Sequence, residues 1–267
     1  MFDFTNKNED ESKPKFNFND YKFNYDDPIT EDDFYLYHGD TGVVGPGDIM
    51  LVTGREKSRK SFFLSALLAS NYTRDSSRTL GFNMDIGNKH IIVFDTEHST
   101  NQFGKIQKKF IHSTGHRGNI PTYHAFQLRK FDYIERMEFI QSVIQSFEDN
   151  GMDIGFIIID QIADMVSDIN NEKSVNDFKS WAMQVAEEKG IVLVCVLHTN
   201  RGGQESLGKL GSAIDKKMTS GFLVSYDQET KISCAENVRA RNRPLDNGIC
   251  FRHNEQGYME LVEEFDY

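Results

Sequence analysis

The sequence predicts an α/β protein whose sheet is mainly parallel and covered by helices on both faces. Apolar strand patterns alternate with amphipathic helix patterns through the middle of the chain, which is typical of βαβ units. Two strands, at 156–159 and 191–194, are uninterrupted apolar runs, as expected for strands that are buried on both faces. After residue 220 only short strand patterns remain, and these predict an antiparallel extension at one edge of the sheet.

The individual elements follow from the period of the apolar residues. Strands are predicted at 48–53, 90–95, 121–127, 155–160 and 191–197, and helices at 60–71, 100–113, 131–148 and 174–189. Four further strands are predicted at 221–226, 231–238, 248–253 and 257–261. The segments 73–88 and 200–219 are polar and punctuated by glycine and serine, so they are predicted to be loops.

Composition indicates a soluble protein. The chain has 267 residues, 38% of them hydrophobic, and a mean hydropathy of −0.54. It contains no apolar run of the roughly 20 residues that a membrane helix needs, and its first residues lack a signal-peptide pattern. Cys195, Cys234 and Cys250 match no disulfide framework or zinc spacing, so we expect buried free thiols in a cytosolic protein.

The charge divides the chain into two regions. Residues 1–40 hold 11 acidic residues against four lysines, together with ten aromatic residues, whereas the whole chain carries −11. We therefore predict an acidic, aromatic N-terminal arm at 1–40 and one large folded domain at 41–267. The arm is either disordered or docked on the core or on a neighbouring subunit. The acidity argues against a large basic DNA-binding surface, but it is compatible with a local basic loop that binds DNA.

A phosphate-binding pattern lies between the first core strand and the first helix. Gly54 ends the strand, and Lys60 and Ser61 begin the helix six residues later, which is the order of a P-loop. Backbone N–H groups and the helix N-terminus attract phosphates, Lys60 would reach the β- and γ-phosphates of ATP, and Ser61 would ligate Mg²⁺. The predicted loop residues are Gly54, Arg55, Glu56, Lys57, Ser58, Arg59, Lys60, Ser61 and Phe62.

One position of this loop departs from the pattern. Arg59 stands where the pattern has its second glycine. If that position needs a left-handed backbone, arginine costs about 1 kcal/mol of strain.

Acidic residues at two strand ends fit the same chemistry. Asp160 closes an apolar strand and is a candidate ligand for Mg²⁺. Asp95 and Glu97 follow another strand, and a carboxylate there can orient or deprotonate the attacking water. We favour Glu97 as the catalytic base, with Asp95 as its rival.

Three further residues are candidates for the reaction. His198 ends the fifth strand, where a polar side chain can touch the γ-phosphate. Arg239 and Arg241 alternate along a late strand, so their side chains share one face. They are either a solvated basic edge or a pair presented to ATP that a neighbouring subunit holds.

With these motifs in order, the chain resembles the RecA-like ATPases, in particular the RepA-like and DnaB-like hexameric helicase branch and the AAA-family ATPases of phages and mobile elements. The resemblance covers about residues 40–262. It implies a RecA-like core, Mg²⁺ and ATP as ligands, catalysis by Glu97, and sensing of the γ-phosphate by His198. It further implies a homo-oligomer, either a hexamer or a filament, with ATP at subunit interfaces and Arg239 and Arg241 acting in trans.

The resemblance also suggests a biological setting. In the family, the loops here at 161–173 and 201–219 commonly face DNA, and the second of them offers Arg201, Lys209, Lys216 and Lys217. We expect an ATPase that acts on single-stranded DNA in replication or recombination, within the cytoplasm of a bacterial or phage-infected cell. The arm would contact replication proteins. The alternative is a nucleotide-gated assembly or interaction protein with weak or no hydrolysis, which Arg59 and the overall acidity favour.

Overall fold

The computed structural model of the chain describes residues 22–25, 34–200, 207–253 and 259–262. The chain divides into two units, Met1–Asp32 and Asp33–Tyr267, and every helix and strand given below lies in the second. Most of the N-terminal arm inferred from the sequence lies outside the described residues. Leu36–His38, within the range assigned to that arm, forms a strand whose Leu36 side chain is fully buried.

The described residues form twelve strands and six α-helices. The strands are β1 (Leu36–His38), β2 (Thr41–Val44), β3 (Ile49–Gly54), β4 (Phe82–Met84), β5 (His90–Asp95), β6 (Tyr123–Gln127), β7 (Ile154–Asp160), β8 (Val192–His198), β9 (Ser220–Tyr226), β10 (Ser233–Ala240), β11 (Ile249–His253) and β12 (Met259–Leu261). The helices are α1 (Lys60–Ala69), α2 (Ser76–Thr79), α3 (Thr100–Ser113), α4 (Tyr133–Asp149), α5 (Glu172–Lys189) and α6 (Gly208–Asp215), and a 3₁₀ helix covers Ile162–Met165.

Nine strands form one sheet in the order β12-β11-β10-β9-β3-β8-β7-β5-β6. The strands from β9 to β6 in this order are parallel, and β10, β11 and β12 extend the β9 edge in antiparallel fashion. A separate antiparallel sheet has the order β2-β1-β4. The predicted fold class, a mainly parallel α/β sheet with an antiparallel C-terminal edge, is confirmed at this level.

The sheet has an apolar core on each face. Alternate residues of β5 point to opposite faces of the sheet. Ile91 and Val93 lie in one core, and Ile92 and Phe94 lie in the other. The first core includes residues of α1, β1, β2 and β4, and the second includes residues of α4, α5 and α6. Because both faces are covered, the central strands are almost wholly apolar, which is why their sequence signal is strong.

Local sequence sets the ends of the helices. The Asp132 carboxylate accepts hydrogen bonds from the backbone N–H groups of Ile134 and Glu135 at the start of α4. Asn171 caps α5 in the same way, through the N–H of Ser174. α5 ends at Lys189 and is followed by Gly190, whose left-handed backbone suits glycine. The observed limits of α4 and α5 therefore lie within a few residues of the limits predicted from the sequence.

Two segments predicted as loops contain regular structure. The segment 73–88 holds α2, which is a single turn capped by Asp75, and the three-residue strand β4. Both elements are too short for their apolar residues to show a helical or strand period. The segment 200–219 holds α6, where Leu210 and Ile214 lie one turn apart and are fully buried. The sequence did not predict this helix because it contains glycines at 208 and 211, and glycine has a low helix propensity.

The prediction of three free thiols is wrong for two of the cysteines. Cys234 on β10 lies directly opposite Cys250 on β11, and the two form a disulfide. Their separation of 16 residues in the sequence does not indicate a disulfide, because only the register of the two strands brings the two cysteines together. Cys195 is a buried free thiol, as expected, and its burial raises its pKa to about 12.

Within the described part of the chain, no helix combines the length and the apolar character that a membrane span requires.

Candidate functional site

The loop between β3 and α1 has a backbone that only certain residues tolerate. Gly54 has a φ of 155°, and a Cβ atom built there would lie 2.3 Å from the carbonyl oxygen of Val224, so any side chain at this position would collide with β9. Lys57 and Arg59 both have left-handed backbones, with φ values of 61° and 73°. The expected strain at Arg59 is therefore present, at a cost of about 1 kcal/mol.

The loop encloses the side chain of Lys60. Its Nζ donates to the carbonyl oxygens of Gly54 at 2.9 Å and Arg55 at 3.0 Å, and it lies 2.9 Å from Nδ1 of His198. The residue is only 7% exposed. Burial lowers the pKa of Lys60, while the negative charges of Asp160 and Glu97 oppose that shift.

His198 connects Lys60 to Glu97. This short contact suits a neutral imidazole whose Nδ1 accepts a hydrogen bond from the Lys60 ammonium. The Nε2 of His198 is 3.8 Å from a carboxylate oxygen of Glu97. Burial and the charge of Lys60 lower the pKa of His198, which favours the neutral form. The structure thus brings together three predicted residues, Lys60, His198 and Glu97.

The side chain of Asp95 shapes the turn that carries Glu97. Its carboxylate accepts hydrogen bonds from the backbone N–H groups of Glu97 at 3.1 Å and His98 at 2.8 Å, and from Nδ1 of His98 at 2.8 Å. Asp95 is 3% exposed, whereas the Glu97 side chain is 46% exposed. The geometry therefore gives Asp95 a supporting role and leaves Glu97 open to solvent.

Asp160 lies beside Asp95 on the neighbouring strand β7. Burial and the charge of Asp95 raise the pKa of Asp160 to about 7. One ligand atom from each of Asp95, His98 and Asp160 falls within a span of 4.8 Å. His98, whose pKa is raised by its hydrogen bond to Asp95, is a site residue that the sequence reasoning missed.

These residues fit a divalent cation. Two carboxylates on adjacent strand ends supply the oxygen donors that Mg²⁺ prefers, and a cation would offset the burial and the charge repulsion that together raise the pKa of Asp160. Ser61, the other predicted ligand, is half-buried in the first turn of α1, directly after Lys60.

Three buried polar side chains near this edge of the sheet have no hydrogen-bond partner among the described residues. They are Ser58 in the loop, Gln161 after β7 and Thr199 after β8, and each is at most 8% exposed. An unsatisfied buried polar group costs about 1–3 kcal/mol. In open α/β sheets, ligands bind at the carboxyl ends of the strands. The unpaired groups are therefore consistent with a polar ligand at this edge.

Arg239 lies near the end of β10 and Arg241 directly after that strand, and both contact the segment at the C-terminal end of α6. A guanidinium nitrogen of Arg239 donates to the carbonyl oxygen of Asp215, and one of Arg241 donates to that of Lys217 at 3.2 Å. Arg239 also lines a cavity of about 520 Å³ beside Thr53. The structure does not bring these arginines to Lys60, so their action in trans stays a prediction.

The remaining candidates lie around the loop or partly outside the described residues. Arg55, Glu56 and Lys57 are exposed, and Phe62 packs against His253. The predicted DNA-facing segment 201–219 is described only from residue 207, so Arg201 lies outside the described residues. Comparison of the chain with protein-family models and with curated proteins finds no match.

Proposed function

We propose that this chain has a RecA-like core that binds Mg²⁺-ATP through the loop 54–62 and hydrolyses it. The observation that carries this proposal is the enclosed ammonium of Lys60. Among the described residues its hydrogen-bond contacts are two loop carbonyls and an imidazole, and the charges of Asp160 and Glu97 act on it without a direct hydrogen bond. A buried charge is costly unless an opposite charge compensates it. A triphosphate supplies that charge.

The chain's own groups account for binding. The loop presents backbone N–H groups and the N-terminus of α1, which attract phosphate oxygens. Lys60 would exchange its carbonyl contacts for the β- and γ-phosphates. Asp160 and Ser61 would hold Mg²⁺, which when bound neutralises charge that develops on the phosphates.

Hydrolysis requires a group that orients or deprotonates water. Glu97 is an exposed carboxylate 3.8 Å from His198, its charge acts on the enclosed lysine, and Asp95 fixes the backbone from which it projects. His198 lies between Lys60 and Glu97, so displacement of Lys60 toward phosphate would change its surroundings directly. We assign the role of base to Glu97 and the sensing of the γ-phosphate to His198.

The proposed action on DNA rests on the family resemblance and on exposed charge. Lys209, Lys216 and Lys217 are exposed on and after α6, the element that follows the β8 strand end carrying His198. Cations on a segment coupled to the nucleotide site could contact DNA phosphates. We propose a role in replication or recombination of a phage or mobile element, as a homo-oligomer in which Arg239 and Arg241 act on a neighbour's ATP.

The direct test is phosphate release from ATP, measured with and without Mg²⁺ and with and without single-stranded DNA. We expect turnover that needs Mg²⁺ and rises with DNA. ATP binding without turnover under all conditions would favour the alternative, a nucleotide-gated assembly protein, for which the strained backbone at Arg59 is the supporting observation.

A further inference from the structure

Two pairs of flat side chains flank the first turn of α1. The guanidinium of Arg59 lies over the ring of Tyr226, 4.1 Å from its centre. The rings of Phe62 and His253 are 4.3 Å apart and meet edge to face, at 87°. All four side chains are half-buried, so none belongs to the interior of either core.

The topology explains why both pairs lie at the start of α1. Arg59 directly precedes the helix, and Phe62 lies in its first turn, where its backbone N–H donates to the carbonyl oxygen of Arg59 at 3.0 Å. β9 and β11 both pair with β10 in antiparallel fashion, so they run in the same direction and end at the same edge of the sheet. Tyr226 ends β9 and His253 ends β11. The parallel pairing of β9 with β3 places this edge beside the loop that encloses Lys60.

Arg59 makes contacts that the glycine of the usual pattern could not make. Besides covering Tyr226, its guanidinium donates to the carbonyl oxygen of Lys231 at 3.1 Å, in the turn between β9 and β10. The chain carries an arginine here despite its left-handed backbone. The guanidinium is thereby fixed as a flat cationic surface directly before Lys60.

We propose that Arg59, Tyr226, Phe62 and His253 form the platform on which the base of the nucleotide stacks. This inference rests on the proposed function, since it concerns the other end of the same ligand. With the phosphates at the N-terminus of α1, the base must lie to one side of the loop, and these half-exposed flat groups occupy one such side. Stacking depends on ring area, so the platform takes purine nucleotides in preference to pyrimidine nucleotides.

The rival explanation is that both pairs only pack the β9–β10 turn and β11 against α1. The two explanations differ in one measurable quantity, the gain in affinity that a base provides over a bare triphosphate. A packing role predicts no gain. A stacking platform predicts a gain of roughly tenfold to a hundredfold, the range found for one stacked base.

The experiment is isothermal titration of the full chain with ATP, UTP and inorganic triphosphate, each with Mg²⁺. We expect ATP to bind most tightly, UTP less tightly and triphosphate at least tenfold more weakly than ATP. Tyr226→Ala should remove most of the difference between ATP and triphosphate, and Tyr226→Phe should keep it because the ring remains. Tyr133→Ala, at an exposed tyrosine on α4, is the matched control.

The outcomes separate this inference from the proposed function. Equal affinities of the wild-type chain for ATP and triphosphate would overturn the platform and leave the phosphate site intact. Binding of neither ligand would overturn the proposed function itself. If Tyr226→Ala fails to fold, the comparison of the three ligands on the wild-type chain still decides the matter, and Arg59→Gly supplies a second variant whose backbone is relieved of strain.

Discussion

The ammonium of Lys60 lies 2.9 Å from Nδ1 of His198, and this contact joins the start of α1 to the end of β8. Register explains it, because Gly54 and His198 are direct partners where the parallel strands β3 and β8 end. The contact means that phosphate binding by Lys60 and the position of His198 are physically linked. It also holds the imidazole 3.8 Å from the carboxylate of Glu97.

Replacing His198 with alanine tests this link. We expect ATP to bind with little change, since the loop and Lys60 remain, while turnover falls about tenfold or more, equivalent to about 1.4 kcal/mol in the barrier. Phosphate release and titration with ATP measure the two effects. His112→Ala, at an exposed histidine on α3, should leave both unchanged. Loss of affinity without loss of turnover would assign His198 to binding alone.

Replacing Glu97 with glutamine tests the catalytic base. The amide keeps the size of the side chain but cannot accept a proton, so turnover should fall by about 10²- to 10⁴-fold. Binding of Mg²⁺-ATP should persist. Glu138→Gln on the exposed face of α4 is the matched control. Normal turnover in the Glu97 variant would move the role of base to Asp95.

The backbone strain at Arg59 can be measured directly. Arg59→Ala and Arg59→Gly both lose the contact with Tyr226, but only glycine relieves the left-handed backbone. Urea denaturation should therefore give the glycine variant an unfolding free energy about 1 kcal/mol higher than that of the alanine variant.

The neighbouring Arg55 supplies the control for that comparison. It has no positive φ, so glycine there should be less stable than alanine because it adds freedom to the unfolded chain. The same order of stability at both positions would contradict the assignment of strain to Arg59.

A histidine pair at the edge of the sheet predicts sensitivity to acid. Nδ1 of His90 and Nε2 of His124 are 2.9 Å apart. Burial lowers the pKa of both residues, with the charge of His90 adding to the shift at His124 and Asp153 opposing it at His90. In the unfolded chain both titrate near their ordinary value of about 6.5.

The sign of the effect follows from these directions. Below a pH of about 6.5 this pair binds protons in the unfolded chain that it does not bind in the folded chain, so its contribution to the free energy of unfolding falls as the pH falls. Asp160 and His98, whose pKa values are raised, contribute with the opposite sign, so the test is the difference between the wild-type chain and a variant. Urea denaturation at several pH values between about 7 and 5 should show that His124→Gln loses less stability toward acid than the wild-type chain, and that His112→Gln loses the same amount. An identical decline in both variants would place the acid sensitivity elsewhere.

The central fold could be predicted from the sequence because its signals are local. The strands β5, β7 and β8 are apolar runs whose limits match the prediction within two residues. The order of Lys60, Glu97, Asp160 and His198 at successive element ends was enough to place them at one edge, since parallel strands deliver their carboxyl ends together.

The remaining features depend on contacts between distant segments. The disulfide between Cys234 and Cys250 needs the register of β10 and β11, and α6 is held by burial of Leu210 and Ile214 rather than by helix propensity. The place of His98 in the site follows from its hydrogen bond to Asp95. No pattern along the chain indicates these contacts.

The measurement that tests the central claim most directly is titration of the full chain with Mg²⁺-ATP, for the wild-type chain and for Lys60→Ala. The wild-type chain should bind, and the variant should show no measurable binding because the charge that compensates the phosphates is gone. Lys105→Ala, at an exposed lysine on α3, should bind like the wild-type chain. Absence of binding by the wild-type chain, or equal affinity of the Lys60 variant, would contradict the assignment of this loop to ATP.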